Sequence, residues 1–204
     1  MNFTWDPSTQ QYRRSNGRFV SRSEVRAALD KALDQEKVWA RILAQDYRMG
    51  RITLMKWRQE MRDVVKSVHL FSAALARGGW AQITQADYGR IGSVVRGEYG
   101  YLERFATGLS NGSISTDGSF VDRANMYAEA GRDTYHQVQR VAMREAGWWY
   151  ESNKLNPAEH CTGAGSCVEQ TDRGRVAIGK LIPIGRRRCL RKCKCDLEYW
   201  RTLQ

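Results

Sequence analysis

The sequence predicts a mainly α protein: a four-helix bundle-like body with an extended N-terminal arm and a small C-terminal cysteine-rich, zinc-knuckle-like α+β module. Three observations carry this reading. Apolar residues recur at helical spacing through four segments between residues 21 and 147. The first twenty residues hold turn formers and no such period. All five cysteines follow residue 160, in a stretch with too few apolar residues for a core of its own. The chain thus divides into an arm (1–20), a helical body (21–147) and an aromatic joint with a basic cysteine module (148–204).

In the arm, Asp6, Pro7 and Ser8, then Ser15, Asn16 and Gly17, are turn chemistry. Trp5, Tyr12 and Phe19 are its aromatic points, expected to dock on a partner and to become ordered in an assembly.

Ser21 and Glu24 form a capping box that opens the first helix, whose stripe runs through Val25, Leu29, Leu33, Ala40 and Leu43 until Gly50. A second helix starts at Thr53, carries Trp57, Met61, Val64, Val65 and Val68, and ends at Gly78 and Gly79. The short link between them predicts antiparallel packing. His69 beside this stripe reads as a packed or surface histidine. Thr84 and Asp87 cap a third helix that contains Gly89, Gly92, Gly97, Gly100 and Gly108. Interior glycine costs about 1 kcal/mol relative to alanine, so the run predicts either close approach of a neighbouring helix or a break into two pieces. Arg90 to Gly92 lacks the Gly-Lys-Ser/Thr ending of a phosphate loop. The fourth helix is expected from Ser119 to Gly147, with Tyr127 and Tyr135 in the core.

Trp148, Trp149 and Tyr150 then change the period, predicting a short strand or an apolar plug, and Trp148 and Trp149 join the docking candidates. Val176 to Ile178, Leu181 to Gly185 and Asp196 to Trp200 read as short strands.

The thiols form two clusters, Cys161 and Cys167, then Cys189, Cys193 and Cys195, with His160 adjoining the first as an additional ligand candidate. A divalent zinc ion takes four soft or borderline ligands in a tetrahedron, so four of the five thiols are the expected ligands of a structural Zn. The five-residue gap between Cys161 and Cys167 exceeds the usual two to four. Disulfides formed after release into an oxidising medium and unliganded thiols are the alternatives. A catalytic zinc would need an open position and a carboxylate base, for which Glu159 beside the first thiol is a candidate in sequence.

The formal charge of +11 argues for an anionic partner. From residue 160 onward ten Lys and Arg face four Asp and Glu. Arg186, Arg187, Arg188, Arg191, Lys192 and Lys194 are interleaved with the second thiol cluster and are the candidates for non-specific contact with DNA phosphate or an acidic protein. No apolar run reaches the roughly 18 residues of a membrane span, and a signal-peptide pattern is missing. A soluble protein made in the cytoplasm, with no membrane partner, is expected.

The order His160-Cys161, Cys167, then Leu181-Ile-Pro-Ile-Gly185, then Cys189-x3-Cys193-x-Cys195 and a terminal aromatic stretch resembles the C-terminal segment of tailed-phage minor head proteins of the phage Mu F-like head-morphogenesis type. Arg123, Ala124, Asn125, Met126 and Tyr127, and the run from Asn16 to Ser21, are also similar to phage structural proteins of that group. Relatives often have a tighter first cysteine pair and a Trp after the glycine where this chain has Gly174 and Arg175. The resemblance implies a non-enzymatic virion component of head or neck, placed at the portal or inside the capsid in several copies, made in the host cytoplasm. Portal or major capsid protein, and packaged DNA touched without sequence preference, are the implied partners. The competing expectations are a zinc-containing DNA-binding regulator, which would need a reading helix, and a zinc-dependent nuclease, which would need His or acidic residues gathered at the thiols.

Overall fold

The structure is a computed structural model that describes residues 3–6, 9, 11–156, 161–190 and 193–203. Its order is β1 (Phe3–Asp6), β2 (Gln11–Arg14), β3 (Phe19–Val20), α1 (Arg22–Arg48), α2 (Leu54–Arg77), a 3-10 turn (Trp80–Gln82), α3 (Gln85–Ser110), α4 (Gly118–Glu129), α5 (Gly131–Glu145), β4 (Tyr150–Lys154), α6 (Cys167–Asp172), β5 (Val176–Ala177) and β6 (Asp196–Trp200). The protein is mainly α, with two small antiparallel sheets and a C-terminal cysteine cluster.

The helix starts follow their caps. Ser21 Oγ accepts from the Glu24 amide at 3.2 Å while Glu24 accepts from the Ser21 amide at 2.8 Å, and Thr84 and Asp87 repeat this box at α3. Gly78, at φ +88°, ends α2 in a left-handed cap. α2 is the central helix, packing against α1, α3 and α5, with α4 laid on α1. Trp57, Phe105 and Phe120 meet at ring-centroid distances of 5.5–5.7 Å in the middle of this core, with Tyr47 and Tyr127 at its edge. His69 is buried as expected, its Nδ1 2.6 Å from Thr134 Oγ1.

Three helical expectations change. The fourth segment is two helices that meet at Ala130 and Gly131, and position 131 admits only glycine, since a Cβ there would lie 2.7 Å from Ser72 Oγ, 2.8 Å from Leu33 Cδ2 and 3.0 Å from the Val68 carbonyl. The close approach of a neighbouring helix expected at the α3 glycines is not found: Gly89, Gly92 and Gly97 face open space, and Gly108 lies against Ile114 and Ser113 of the loop that follows α3. α3 is also unbroken. Residues 181–185 form turns rather than a strand, and Asp133 lies against Gly185, where φ is +94°.

The N-terminal stretch is extended as expected, but its strands pair with each other, β1–β2–β3, and lie on the body. The Trp5 amide donates to the Gly78 carbonyl at 3.0 Å. Tyr12, a docking candidate, is instead buried, its hydroxyl reaching the Leu75 and Ala76 carbonyls at 3.4 and 3.2 Å. These carbonyls belong to the last turn of α2, where intrahelical donors run out, and the Leu75 carbonyl also accepts from the Gly78 amide at 3.1 Å.

A second apolar core, formed by Met143, Ile178, Leu181, Ile184, Leu197 and Tyr199 together with Cys167, Cys193 and Cys195, lies between the C-terminal end of α5 and the second sheet, β5–β4–β6. Trp5 touches both cores. No helix among the described residues is long and apolar enough to cross a membrane.

Candidate metal centre

The wide first spacing is resolved by backbone geometry. Between Cys161 and Cys167 the chain loops outward through Gly163 and Gly165, at φ +88° and +71°, conformations that glycine adopts without steric penalty. Arg188 and Glu169 hold the loop: the Arg188 amide donates to the Gly165 carbonyl at 3.0 Å, Arg188 Nη1 donates to the Thr162 carbonyl at 2.7 Å, and the Gly165 amide donates to Glu169 Oε2 at 2.5 Å. Cys161 therefore returns to Cys167, whose amide donates to Cys161 Sγ at 3.3 Å. Ser166 caps α6 and places Cys167 at its first position.

The second cluster is folded by a turn with Leu190 at φ +49°, closed by the Leu190 amide on the Arg187 carbonyl at 2.7 Å and the Cys193 amide on the Leu190 carbonyl at 3.2 Å. Cys193 and Cys195 are buried with Lys194 exposed between them, as an extended segment places alternate side chains on one face.

All five thiols converge. Cys167 Sγ lies 3.3 Å from Cys189 Sγ and 3.4 Å from Cys193 Sγ. Cys161, Cys167 and Cys189 form one group with sulfurs within 4.8 Å of one another, and Cys167, Cys193 and Cys195 form a second. All five are free thiols. Zinc–sulfur bonds of about 2.3 Å in a tetrahedron separate sulfurs by about 3.8 Å, so the Cys167–Cys189 and Cys167–Cys193 contacts would each open by a few tenths of an ångström around an ion. The cluster could hold a metal ion, and among the described residues its metal-binding groups consist of cysteine alone.

Burial lifts the Cys167 thiol, and burial with neighbouring sulfurs pushes Cys189 up to about 12. The neighbouring Cys193 sulfur, then burial, raise Cys195. Burial works against the Cys161 thiolate too, yet hydrogen bonds from the Cys167 and Cys189 backbone and side chains outweigh it and bring the pKa below the ordinary thiol value. Metal uptake would therefore expel protons from most of these sulfurs.

Behind the thiols is a polar layer that sequence reasoning missed. Glu151 on β4 is fully buried and forms a bidentate ion pair with Arg140 of α5 at 2.8 and 2.9 Å. It also accepts the Gly179 and Leu181 amides at 3.0 and 3.4 Å. Asn153, two residues along the same face, donates to the Cys167 carbonyl at 3.2 Å and to Thr171 Oγ1 at 2.7 Å, and accepts from Arg187 at 2.5 Å. The sequence reading singled out none of the three. Nothing in the spacing of Glu151 and Arg140 marks them as a buried pair.

Arg187 is thus a correction: at 1% exposure, bonded to Asn153 and to the Ile182 carbonyl at 3.0 Å, it braces the module and offers nothing to phosphate. Arg186, Arg188 and Lys194 are exposed. Arg186 lies 4.0 Å from Asp133, and the Lys194 carbonyl accepts from Arg26. His160, Arg191 and Lys192 lie outside the described residues. Of the docking candidates, Phe19 (54% exposed) and Trp149 (59%) face solvent, whereas Trp5 is half-buried between the cores and Trp148 is half-buried under Arg201, 5.3 Å from its ring centroid.

No protein-family model, curated protein or solved structure matches this chain. Its chemistry rests on the thiol geometry. Four thiolates around a divalent cation carry a net charge of about −2, and the exposed Arg186, Arg188 and Lys194 lie on the segments that supply those sulfurs. Were an ion held in this way, part of the local basic excess would offset the charge of the site before any external anion is considered.

Proposed function

We propose that this chain is a non-enzymatic structural protein of a tailed-phage head or neck, in which a zinc ion held by four of the five thiols locks the C-terminal module onto the helical body. One observation supports the reading above the others: the cysteine order that resembles the minor head proteins folds into two thiol groups joined at Cys167, three of the five thiols buried, adjoining the terminal aromatic strand β6. Four thiolate ligands close a zinc coordination sphere and leave no position for substrate, which suits a structural ion.

Portal or major capsid subunits are the proposed partners, in several copies per particle. Phe19, Trp39, Trp80 and Trp149 are large, exposed aromatics, the residue type that anchors protein interfaces. Arg186, Arg188 and Lys194 are the remaining candidates for non-specific contact with packaged DNA. The proposed location is the virion, with synthesis in the host cytoplasm.

Two measurements test this. Protein purified under reducing conditions should contain about one zinc per chain, and mass spectrometry of purified virions should detect the chain. Metal-free reduced protein that takes up no zinc would remove the structural-ion reading, and virions without the chain would remove the assembly reading.

A further inference from the structure

Five thiols compete for four positions, and the cluster geometry separates them. We infer that one ion is held by Cys161, Cys167, Cys189 and Cys193, and that Cys195 stays outside the coordination sphere, packed against it. This rests on the zinc reading above and names its ligand set.

Cys167 belongs to both thiol groups and makes the two shortest sulfur contacts, 3.3 Å to Cys189 and 3.4 Å to Cys193. Cys167 is thus the shared corner of a tetrahedron, with one edge to Cys189 and one to Cys193. Either end of the cluster, Cys161 or Cys195, could complete it. Two four-coordinate ions bridged by Cys167 would need more ligands than five thiols supply.

Three observations favour Cys161. Its sulfur accepts the Cys167 amide at 3.3 Å and a second backbone donor from Cys189, against the single backbone donor, Asn156, at Cys195, and N–H donors directed at a ligand atom are the outer-shell support that metal ligands receive. Its loop is specifically built: Gly163 and Gly165 are left-handed, and Arg188 and Glu169 clamp the turn that returns Cys161 to Cys167. The bite also matters. Cys189 and Cys193 are separated by three residues, inside the usual two to four for a shared ion, whereas Cys193 and Cys195 are separated by one.

Cys195 has the surroundings of a core residue. It immediately precedes β6, is 1% exposed, and belongs to the apolar cluster of Leu181, Ile184, Leu197 and Tyr199. Its sulfur lies within 4.8 Å of those of Cys167 and Cys193. From there an S–H can donate a weak hydrogen bond to a ligand sulfur, spreading negative charge in a site with little water.

The test is a set of five Cys→Ser variants loaded with Zn²⁺ or Co²⁺ under reducing conditions and washed with a chelator, with far-UV circular dichroism as the folding control. Wild type and Cys195→Ser should each retain one ion per chain, with equal sulfur-to-cobalt charge-transfer intensity. Cys161→Ser, Cys167→Ser, Cys189→Ser and Cys193→Ser should show lower intensity and yield the ion more than about tenfold more readily. Cys195→Ala covers the case in which a buried serine hydroxyl disturbs folding. Loss of the ion from a folded position-195 variant together with retention in Cys161→Ser overturns the assignment, as do two ions per wild-type chain. No uptake by wild type overturns instead the zinc reading beneath it.

Discussion

Replacing Glu151 with Gln should be among the most damaging isosteric changes available in this chain. The carboxylate is fully buried, meets Arg140 through two bonds of 2.8 and 2.9 Å, and accepts two amides from the 179–181 turn. Glutamine preserves the volume but leaves the guanidinium charge uncompensated and turns one acceptor into a donor facing other donors. Breaking a buried pair in this way costs about 3–5 kcal/mol, and the retained shape places Glu151→Gln near the lower end. In a chain of this size about 3 kcal/mol lowers Tm by roughly 6–12 °C. Urea unfolding of the zinc-loaded protein, followed by circular dichroism, measures the difference. The double variant Arg140→Met, Glu151→Leu should be less destabilised than the sum of Arg140→Met and Glu151→Leu, because no isolated charge remains. A Glu151→Gln protein within about 0.5 kcal/mol of wild type, or strict additivity in the cycle, would refute the claim that this pair fastens the module to α5.

Further outcomes concern glycine, pH and charge. Gly97→Ala meets nothing within 4 Å at a helical position and should raise stability by up to about 1 kcal/mol in thermal unfolding, whereas Gly131→Ala, against Ser72, Leu33 and the Val68 carbonyl, should lower it by about 1–3 kcal/mol. His136 is held well below its ordinary pKa by burial and by Arg132, Arg140 and Arg187. The unfolded chain therefore gains a proton below about pH 6.5 that the native state refuses. The native advantage is complete above that pH and declines as pH falls. His136→Gln should flatten this part of the stability–pH curve, and an unchanged slope would exclude His136 as its source. Arg187→Ala should reduce stability without altering the salt slope of any DNA retention, while Arg186→Ala with Arg188→Ala should reduce that slope in a filter-binding titration.

How far the fold could be read from sequence depended on whether the determining contacts were local. The capping boxes at Ser21 and Thr84 and the stop at Gly78 are short-range chemistry, and they are where the sequence places them. The junction at Gly131 was not legible, since apolar spacing continues across it and the contacts that require glycine there come from α1 and α2. The α3 glycines carried a misleading signal because exposed and closely packed glycines look alike in a sequence. Convergence of the thiols was legible from their two clusters, but the Cys161–Cys167 gap became intelligible only through the left-handed Gly163 and Gly165. Arg187, Arg140 and Glu151 were the least readable, because a buried ion network and a solvated charged face have the same composition.

The clamp between β1 and the end of α2 bears on how the chain is made. Trp5 and Tyr12 leave the ribosome about seventy residues before Gly78, Leu75 and Ala76, the groups that receive them. Met143 and the rest of the second core, on which Trp5 also rests, emerge later still. β1 can therefore reach its full set of contacts only after the helices that follow it have been made, which makes docking of this sheet a late step. A ribosome-stalled chain ending before α5 should leave that sheet open to protease, and full-length release should protect it.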